Sequence, residues 1–308
     1  MTFSAKDVAD LRVKTGAGMM ECKNALKEAN GSIEKASEIL RQKGLAAAAK
    51  KAEKTTLEGI VASKLSNDKR SGAMLELNTQ TDFVAKNEKF IELSKILLDS
   101  ILTNKPSSVE QMLSLKADGT QISEIISSRI ATIGENIQLR RFEFFQLDSE
   151  TGVTGTYIHP VGNKIGVLIK ITASTNISSS LNEMEELAKN IAMHIAASQP
   201  QPEYIDSTTV PKDIIENERR IELGKEDLAK KPKEIAEKIV QGRLEKVLAQ
   251  RCLMSQPYIK DPNITIEKLI KEKSKQLNTD IKVAQFVRYN VGEVIEKDAM
   301  KEKAAAAT

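Results

Sequence analysis

The 308-residue chain contains no tryptophan, and aromatic residues make up only 4 % of it. This scarcity disfavours a surface on which the bases of single-stranded nucleic acid stack, because such a surface needs exposed rings. Cysteine is also scarce: Cys22 and Cys252 lie far apart and give neither a disulfide framework nor the spacing of a metal site. The cysteine content fits a reducing compartment, and we expect a cytoplasmic protein.

Long apolar runs and an excess of one charge are missing too. The longest strongly apolar stretch, around residues 165–169, is far shorter than the ~18 residues that would indicate a membrane span. The first residues lack the apolar run of a signal peptide. Basic residues number 46 and acidic residues 43, and both are mixed along the chain. We therefore expect no membrane segment and no nucleic-acid partner, since a nucleic-acid surface needs concentrated positive charge.

The sequence has no pattern typical of a catalytic, nucleotide or metal site. No serine or cysteine lies in a nucleophile motif such as G-x-S-x-G. Residues 15–18 contain two glycines but lack the Lys-Ser/Thr that completes a phosphate-binding loop, so we interpret them as a turn that starts a helix. We expect a protein that is not an enzyme and that binds no nucleotide, cofactor or metal of its own.

Residues 1–54 predict a small helical module with a helical linker. We expect three helices, at about residues 4–14, 18–30 and 32–44. Gly31 and Gly44 mark the ends of the second and third helices, because glycine readily takes the left-handed conformation found there. Met19 and Met20 are expected to face the core of this module.

The remaining chain predicts two mixed regions, at residues 55–147 and 148–290, followed by a tail at 291–308. Each region has a two-strand hairpin, then helices, then a later strand. This order predicts an α+β protein with antiparallel sheets rather than a parallel alternating sheet. The similar outlines of the two regions suggest an internal duplication.

The second region contains a highly charged helical insertion at about residues 205–250. Its first arm carries apolar residues seven positions apart, namely Ile214, Ile221 and Leu228. Its return arm carries an apolar stripe of Ile235, Ile239, Leu244 and Leu248. The pattern predicts an antiparallel helical hairpin joined at residues 229–231.

Phe83 lies between a predicted strand and a predicted helix and belongs to neither pattern. Alternation places the strand at residues 72–79, and Asn87 can cap a helix that reaches residue 102. Connections often carry binding residues, so a ring presented outward here would be a contact site. Alternatively the ring folds back and covers the end of the helix, which its position alone favours.

The segment around Phe83 resembles a family signature. Residues 81–87, T-D-F-V-A-K-N, resemble the T-D-F-V-A-K/R-N signature of the elongation factor Ts family. Residues 11–26 are similar to the amino-terminal motif of that family almost residue for residue. Further matches occur in family order, at residues 133–141, 191–197, 231–238 and 256–257.

The resemblance implies a translation elongation factor that acts as the guanine-nucleotide exchange factor of elongation factor Tu. The implied fold has an amino-terminal three-helix module like the ubiquitin-associated fold and a protruding coiled-coil hairpin at the charged insertion. The implied primary contacts are Thr81, Asp82, Phe83 and Val84. Phe83 would enter the partner's nucleotide-binding domain as a wedge, and Asp82 would disturb its Mg²⁺ site. Mg²⁺ and GDP would thus be displaced from the partner, so that GTP can rebind.

Secondary contacts with elongation factor Tu are implied at Arg12, Met19, Met20, His159 and His194. His194 lies among apolar helix residues, and that setting is more typical of a packing histidine. The chain departs from the family pattern at residues 159–164, which lack paired glycines. It departs again at Val294, which replaces a glycine although valine resists positive φ.

Two other classes of function remain as alternatives. A scaffold that holds partners through its amino-terminal module would not need Phe83. An enzyme would need a catalytic cluster, which the sequence does not indicate.

Overall fold

The computed structural model describes residues 3–228 and 231–294, and it combines helices with antiparallel sheets. The predicted α+β class is confirmed. Three helices come first, and two regions follow, each built on a three-stranded antiparallel sheet.

The amino-terminal helices are α1 Ala5–Thr15, α2 Met19–Glu28 and α3 Ile33–Lys51. Ser4 begins α1 through a capping box with Asp7, and Ser32 caps α3, so side-chain oxygens accept from backbone N–H groups that lack helical partners. The shared core of the three helices consists of Leu11, Cys22, Ala25, Leu26, Ala29 and Ala36. Their likeness to the ubiquitin-associated fold stays a prediction.

Two expectations for these helices are wrong. Gly44 does not end α3, which continues to Lys51 and absorbs the predicted linker. Gly44 is buried because α3 packs closely on a later helix, where a Cβ at residue 44 would lie 3.7 Å from the Cβ of Ala131. Met19 and Met20 are 60 % and 64 % exposed instead of facing the core, because the first turn of α2 borders an open groove against α1.

The first mixed region contains β1 Glu58–Leu65, β2 Ser71–Thr79, α4 Asp82–Ala85, α5 Glu88–Asn104, α6 Val109–Ser114, β3 Lys116–Ala117, β4 Thr120–Gln121, α7 Ile122–Ile133 and β5 Ile137–Gln146. Its sheet has the order β1–β2–β5. The central strand β2 is buried on both faces, since Leu75 packs into the core under α5 whereas Met74 packs against the second region. The sequence did not predict α4, α6 or the small β3–β4 pair.

The second mixed region contains β6 Thr151–Ile158, β7 Ile165–Ala173, α8 Leu181–Ala197, α9 Lys212–Leu223, α10 Lys233–Arg251, β8 Pro257–Tyr258, β9 Asp261–Thr265, α11 Ile266–Leu277 and β10 Ile281–Asn290. Its sheet has the order β10–β7–β6, in which β7 is central. The core between this sheet and α8 is the largest in the described chain.

The two sheets agree in topology and in one backbone detail. In each, a hairpin comes first, and the last strand pairs antiparallel with the second strand of that hairpin. Gly59 and Gly152 are each the second residue of the first strand and have φ of 147° and 155°. A Cβ at either position would lie 2.1 Å from the carbonyl oxygen of Leu77 or Ile171. Only glycine fits there, which agrees with the predicted duplication.

The charged insertion forms α9 and α10, which pack against each other. Val210 meets Leu244 and Leu248 in one cluster, and Leu228 meets Val240 in another. The buried stripe of α10 is formed by Ala236, Val240, Leu244 and Leu248. The predicted stripe of the return arm is therefore wrong at Ile235, which is half-exposed because the spacing of four residues starts at its neighbour Ala236. The predicted stripe of the first arm is wrong at Ile221, which is also half-exposed because Glu222 is the buried residue of α9. Of the predicted joint, residues 229 and 230 lie outside the described residues.

A buried carboxylate joins the two mixed regions. Glu76 in the middle of β2 has no exposed surface, and its side chain accepts from Arg141 Nε at 2.7 Å, from Arg140 Nη1 at 3.1 Å and from the backbone N–H of Gly292 at 2.9 Å. Both arginines also bond to Glu293. The chain that leaves β10 is thereby fixed to the central strand of the first sheet.

Only the beginning of the predicted tail at 291–308 belongs to the described chain. Gly292 supplies the positive φ in this segment, and Val294 is exposed without a positive φ. The glycine replaced at position 294 is thus not required by the backbone seen here. Residues 295–308 lie outside the described residues.

Glu76→Gln removes the charge of the buried carboxylate that joins the two regions and keeps nearly the same side-chain volume. We expect it to lower the free energy of unfolding by about 3 kcal/mol, because two largely buried arginines lose their shared carboxylate. Urea unfolding followed by circular dichroism measures the change. The matched control is Glu267→Gln in the exposed pair with Lys271, for which less than about 1 kcal/mol is expected. Equal losses in the two variants would contradict a joining role for Glu76.

Candidate functional site

Phe83 lies on the short helix α4 and is 81 % exposed. Thr81 has an extended conformation, and its hydroxyl accepts from the backbone N–H of Val84 at 3.4 Å, which starts α4 directly after β2. Ala85 is buried and Val84 packs on the core, so the helix is anchored by the residues that follow the ring. The interpretation that Phe83 covers a helix end is wrong.

Glu135 holds the start of α4 from another part of the chain. Its Oε2 accepts from Thr81 N and Thr79 Oγ1, each at 3.0 Å, and its Oε1 accepts from Thr81 Oγ1 at 2.7 Å. Three hydrogen bonds to a carboxylate fix the turn before Phe83 more firmly than bonds between neutral groups would. Phe83 is therefore presented by a rigid support.

Asp82 adds a negative charge beside the ring. Lys86 donates a hydrogen bond to its carboxylate at 2.8 Å, and this bond holds the pKa of Asp82 below its ordinary value. The charge of Lys164, at the start of the second sheet's central strand, lowers the pKa further by a smaller amount. Asp82 is thus ionised at neutral pH, and half of its side-chain surface stays open to a partner.

The predicted contacts of the amino-terminal module line a groove that reaches the first turn of α5. Arg12, Met19 and Met20 line it together with Val13, which is 88 % exposed. Lys89, in the first turn of α5, lines the groove as well. Because α5 begins directly after the segment that carries Phe83, the groove and the ring adjoin the same end of one helix.

The two histidines occupy different environments. His159 is half-exposed at the end of β6, where its Nδ1 lies 3.2 Å from the hydroxyl of Tyr157. His194 is 2 % exposed; its Nδ1 accepts from the N–H of Ile259, and its Nε2 lies 3.1 Å from Gln256 Oε1. This arrangement conflicts with a direct partner contact at His194, because Nδ1 binds the β8–β9 turn and Nε2 binds Gln256, the residue before β8.

Three residues of this region were not predicted: Glu135, Lys89 and Lys164. Lys164 donates to Glu58 and to the carbonyl of Gly59 at 3.0 Å, so it ties the second region to the start of β1. These roles depend on contacts between distant parts of the chain. Two signals pointed to Glu135: its carboxylate follows Gly134, a glycine at the end of a helical pattern, and it lies in the family match at residues 133–141.

Within the ranges 3–228 and 231–294, no three or more histidine, cysteine, aspartate or glutamate side chains are grouped so that they could hold a metal ion. In the same ranges, no helix is both long enough and apolar enough to span a bilayer. The candidate site consists of an exposed ring, an ionised carboxylate and an apolar groove with basic neighbours. Together these features suit contact with another macromolecule.

Comparisons with known proteins agree with the sequence signature. A family model described as Elongation factor TS matches residues 80–293. A protein of Nostoc sp. (strain PCC 7120) named Elongation factor Ts is 43 % identical over 298 residues, covering 96 % of this chain and 94 % of the relative. Proteins of the same name from Clostridium acetobutylicum and Syntrophotalea carbinolica are 45 % and 41 % identical, each over 96 % of this chain and over 94 % and 95 % of the relative.

Phe83→Ala is expected to change the free energy of unfolding by less than about 0.5 kcal/mol, because an exposed ring loses little packing. Phe90→Ala, seven positions after Phe83 and on α5, is the matched control. Its ring has no exposed surface, and about 3–5 kcal/mol is expected to be lost. Urea unfolding of both variants measures the difference. A loss above about 2 kcal/mol for Phe83→Ala would mean that the ring serves the fold.

The burial of His194 leads us to expect that the free energy of unfolding depends on pH. Burial lowers the pKa of His194 below the ordinary 6.5, so the folded protein resists protonation. Above pH 6.5 the ring is neutral in both states; as pH falls below 6.5 the unfolded chain takes up the proton first, and stability decreases. The loss from this one group is at most about 1.4 kcal/mol per pH unit.

Urea unfolding at about pH 7.5 and about pH 5.5 checks this dependence. His194→Asn keeps an acceptor for the N–H of Ile259 and cannot titrate. The variant should therefore lose less stability between the two pH values than the original chain. An equal loss in both proteins would show that other groups cause the dependence.

Proposed function

Because the chain belongs to the elongation factor Ts family, we propose that it promotes the release of GDP from elongation factor Tu, with Phe83 as a wedge in the partner's nucleotide-binding domain. Family membership gives the chain a role in translation elongation. The observation that carries the finer proposal is the exposed ring of Phe83 on a support fixed by Glu135.

The energy for the wedge comes from burial of Phe83. A phenyl ring that is exposed in the free protein and enclosed in the complex contributes about 1.5–3 kcal/mol. Because α4 is already ordered, little of that free energy is lost in fixing the backbone on binding. The ring can therefore favour a partner conformation in which helices near the nucleotide have moved.

Asp82 supplies the electrostatic part of the proposal. Its carboxylate is ionised and partly exposed, and it would introduce negative charge where the partner organises Mg²⁺. The ion belongs to the partner and is displaced, so this chain needs no metal or cofactor. Thr81 and Val84 hold the angle at which Asp82 and Phe83 enter.

The amino-terminal groove supplies affinity for the same partner domain. Met19, Met20 and Val13 give it exposed apolar surface, and methionine adapts its shape to a partner at low cost. Arg12 and Lys89 give it positive charge at the rim. We assign the contact with another domain of the partner to the second region near His159, with His194 as a packing residue behind it.

Three finer features complete the proposal. The helices α1–α3 form a ubiquitin-associated-like module, and α9 with α10 form the protruding coiled-coil hairpin of the family. The protein works in the cytoplasm. It performs no covalent chemistry, because exchange requires only that it binds the partner more tightly when the nucleotide is loosely held.

Phe83→Ala is expected to lower the rate of GDP release from elongation factor Tu by about 10- to 150-fold at limiting exchange factor, which corresponds to the burial of one ring. Release of fluorescent GDP in stopped flow measures it. The matched control is Ile235→Ala, a half-exposed aliphatic residue on α10 outside the predicted contacts, which should keep the original rate.

The outcomes separate the alternatives. If the original chain does not accelerate release above the spontaneous rate, the exchange function fails and a scaffold function is favoured. If the Phe83→Ala and original proteins accelerate release equally, the function stands and the wedge assignment fails.

A further inference from the structure

The end of α7 supports both surfaces that the proposed function uses. Gly134 adopts φ of 93° and ends α7, and the two residues after it bind different neighbours. Glu135 holds Thr79 and Thr81 at the base of Phe83. Asn136 donates to the carbonyl of Ala52 at 3.3 Å and to that of Lys54 at 2.9 Å.

Asn136 is 93 % buried, and its two acceptors lie where α3 ends. The carbonyl of Ala52, the residue that caps α3, has no helical donor, and the amide of Asn136 supplies one. The side chain of Lys51, in the last turn of α3, donates to the carbonyl of Gly134. Gly134 and Asn136 thus bind the end of α3, the helix on which the two helices of the amino-terminal groove pack.

The packing of α3 on α7 fixes the direction of that helix. Gly44 lies against α7, and Arg41 of α3 forms an ion pair with Glu124 of α7. Since α1 and α2 pack on α3, the position of Met19 and Met20 depends on this contact. One helix and the three residues after it therefore set where the groove lies relative to Phe83.

We propose that residues 134–136 form a junction that fixes the amino-terminal groove and Phe83 relative to each other, with Glu135 and Asn136 as positioning residues in nucleotide exchange. The inference rests on the proposed function and assigns residues to which that function gives no partner contact. Geometry matters here because a displacement of about 1 Å at a reacting site can cost ~100-fold in rate.

The two positioning residues should affect different kinetic constants. Glu135→Gln keeps the size of the side chain but leaves one oxygen in place of two, so it cannot accept all three hydrogen bonds. We expect kcat for GDP release from elongation factor Tu to fall about tenfold with little change in KM, since the wedge acts in the exchange step. Asn136→Ala releases the groove, and we expect KM to rise about tenfold with kcat retained.

A double variant separates positioning from general damage. In the Phe83→Ala background, Glu135→Gln should cause no further loss of kcat, because there is no ring left to position. In the Met20→Ala background it should keep its full effect. Equal losses of kcat in the original and Phe83→Ala backgrounds would overturn the inference.

A second pair of variants covers the possibility that Glu135→Gln does not fold. Thr81→Val keeps the shape of Thr81 and removes the hydroxyl that binds Glu135, so it should show the same loss of kcat. Thr81→Ser restores a hydroxyl and should recover most of the rate. If Thr81→Val and Thr81→Ser both have the kcat of the original chain, the inference fails.

The proposed function and this inference fail in different ways. A chain that does not accelerate GDP release defeats the proposed function itself. Suppose instead that the original chain accelerates GDP release and that Phe83→Ala abolishes the acceleration. If Glu135→Gln and Thr81→Val then keep the original rate, only the junction inference fails.

Discussion

Burial of the Glu76 carboxylate is the constraint on which the arrangement of the two mixed regions depends. Placing an ionised carboxylate in the middle of a strand that is buried on both faces costs several kcal/mol unless its charge and lone pairs find partners. The partners are Arg140 and Arg141 on the neighbouring strand and the N–H of Gly292, which arrives from the end of the second region. Two of these donors belong to the first region and one to the second, so the carboxylate has all three only when both regions are in place.

That strand also leads into the short helix that carries the exposed ring. β2 ends at Thr79, and α4 begins three residues later, so the rigidity of the core passes directly to Phe83. Glu135 adds a second attachment from the end of α7. An exposed aromatic residue on a flexible loop would collapse onto the surface or lose entropy on binding, and neither penalty applies to a ring on a doubly held turn.

The sequence predicted features set by local pattern and failed where distant residues decide. The alternation of apolar residues predicted β2, and Asn87 predicted the start of α5, because a strand pattern and a helix cap both depend on residues close in sequence. Gly44 was wrongly interpreted as a helix end because its burial depends on α7, more than 80 residues away. The role of Glu135 was missed for the same reason, since its bonds to Thr81 span 54 positions. The family signature indicated residues 81–84 as contacts, and a further family match at residues 133–141 contains Glu135, but neither match shows that Glu135 binds Thr81.

A division of labour between two surfaces follows from the thermodynamics of exchange. If binding of this chain loosens GDP by some factor, GDP loosens the chain by the same factor. In the proposed mechanism, the free energy with which Phe83 disturbs the partner is therefore subtracted from the affinity for the partner that still holds GDP. The amino-terminal groove has no such cost, because a contact equally good in both partner states adds affinity without favouring either. A chain that must bind the GDP form and still destabilise it needs both kinds of contact, held at a fixed separation, and α7 lies between the two.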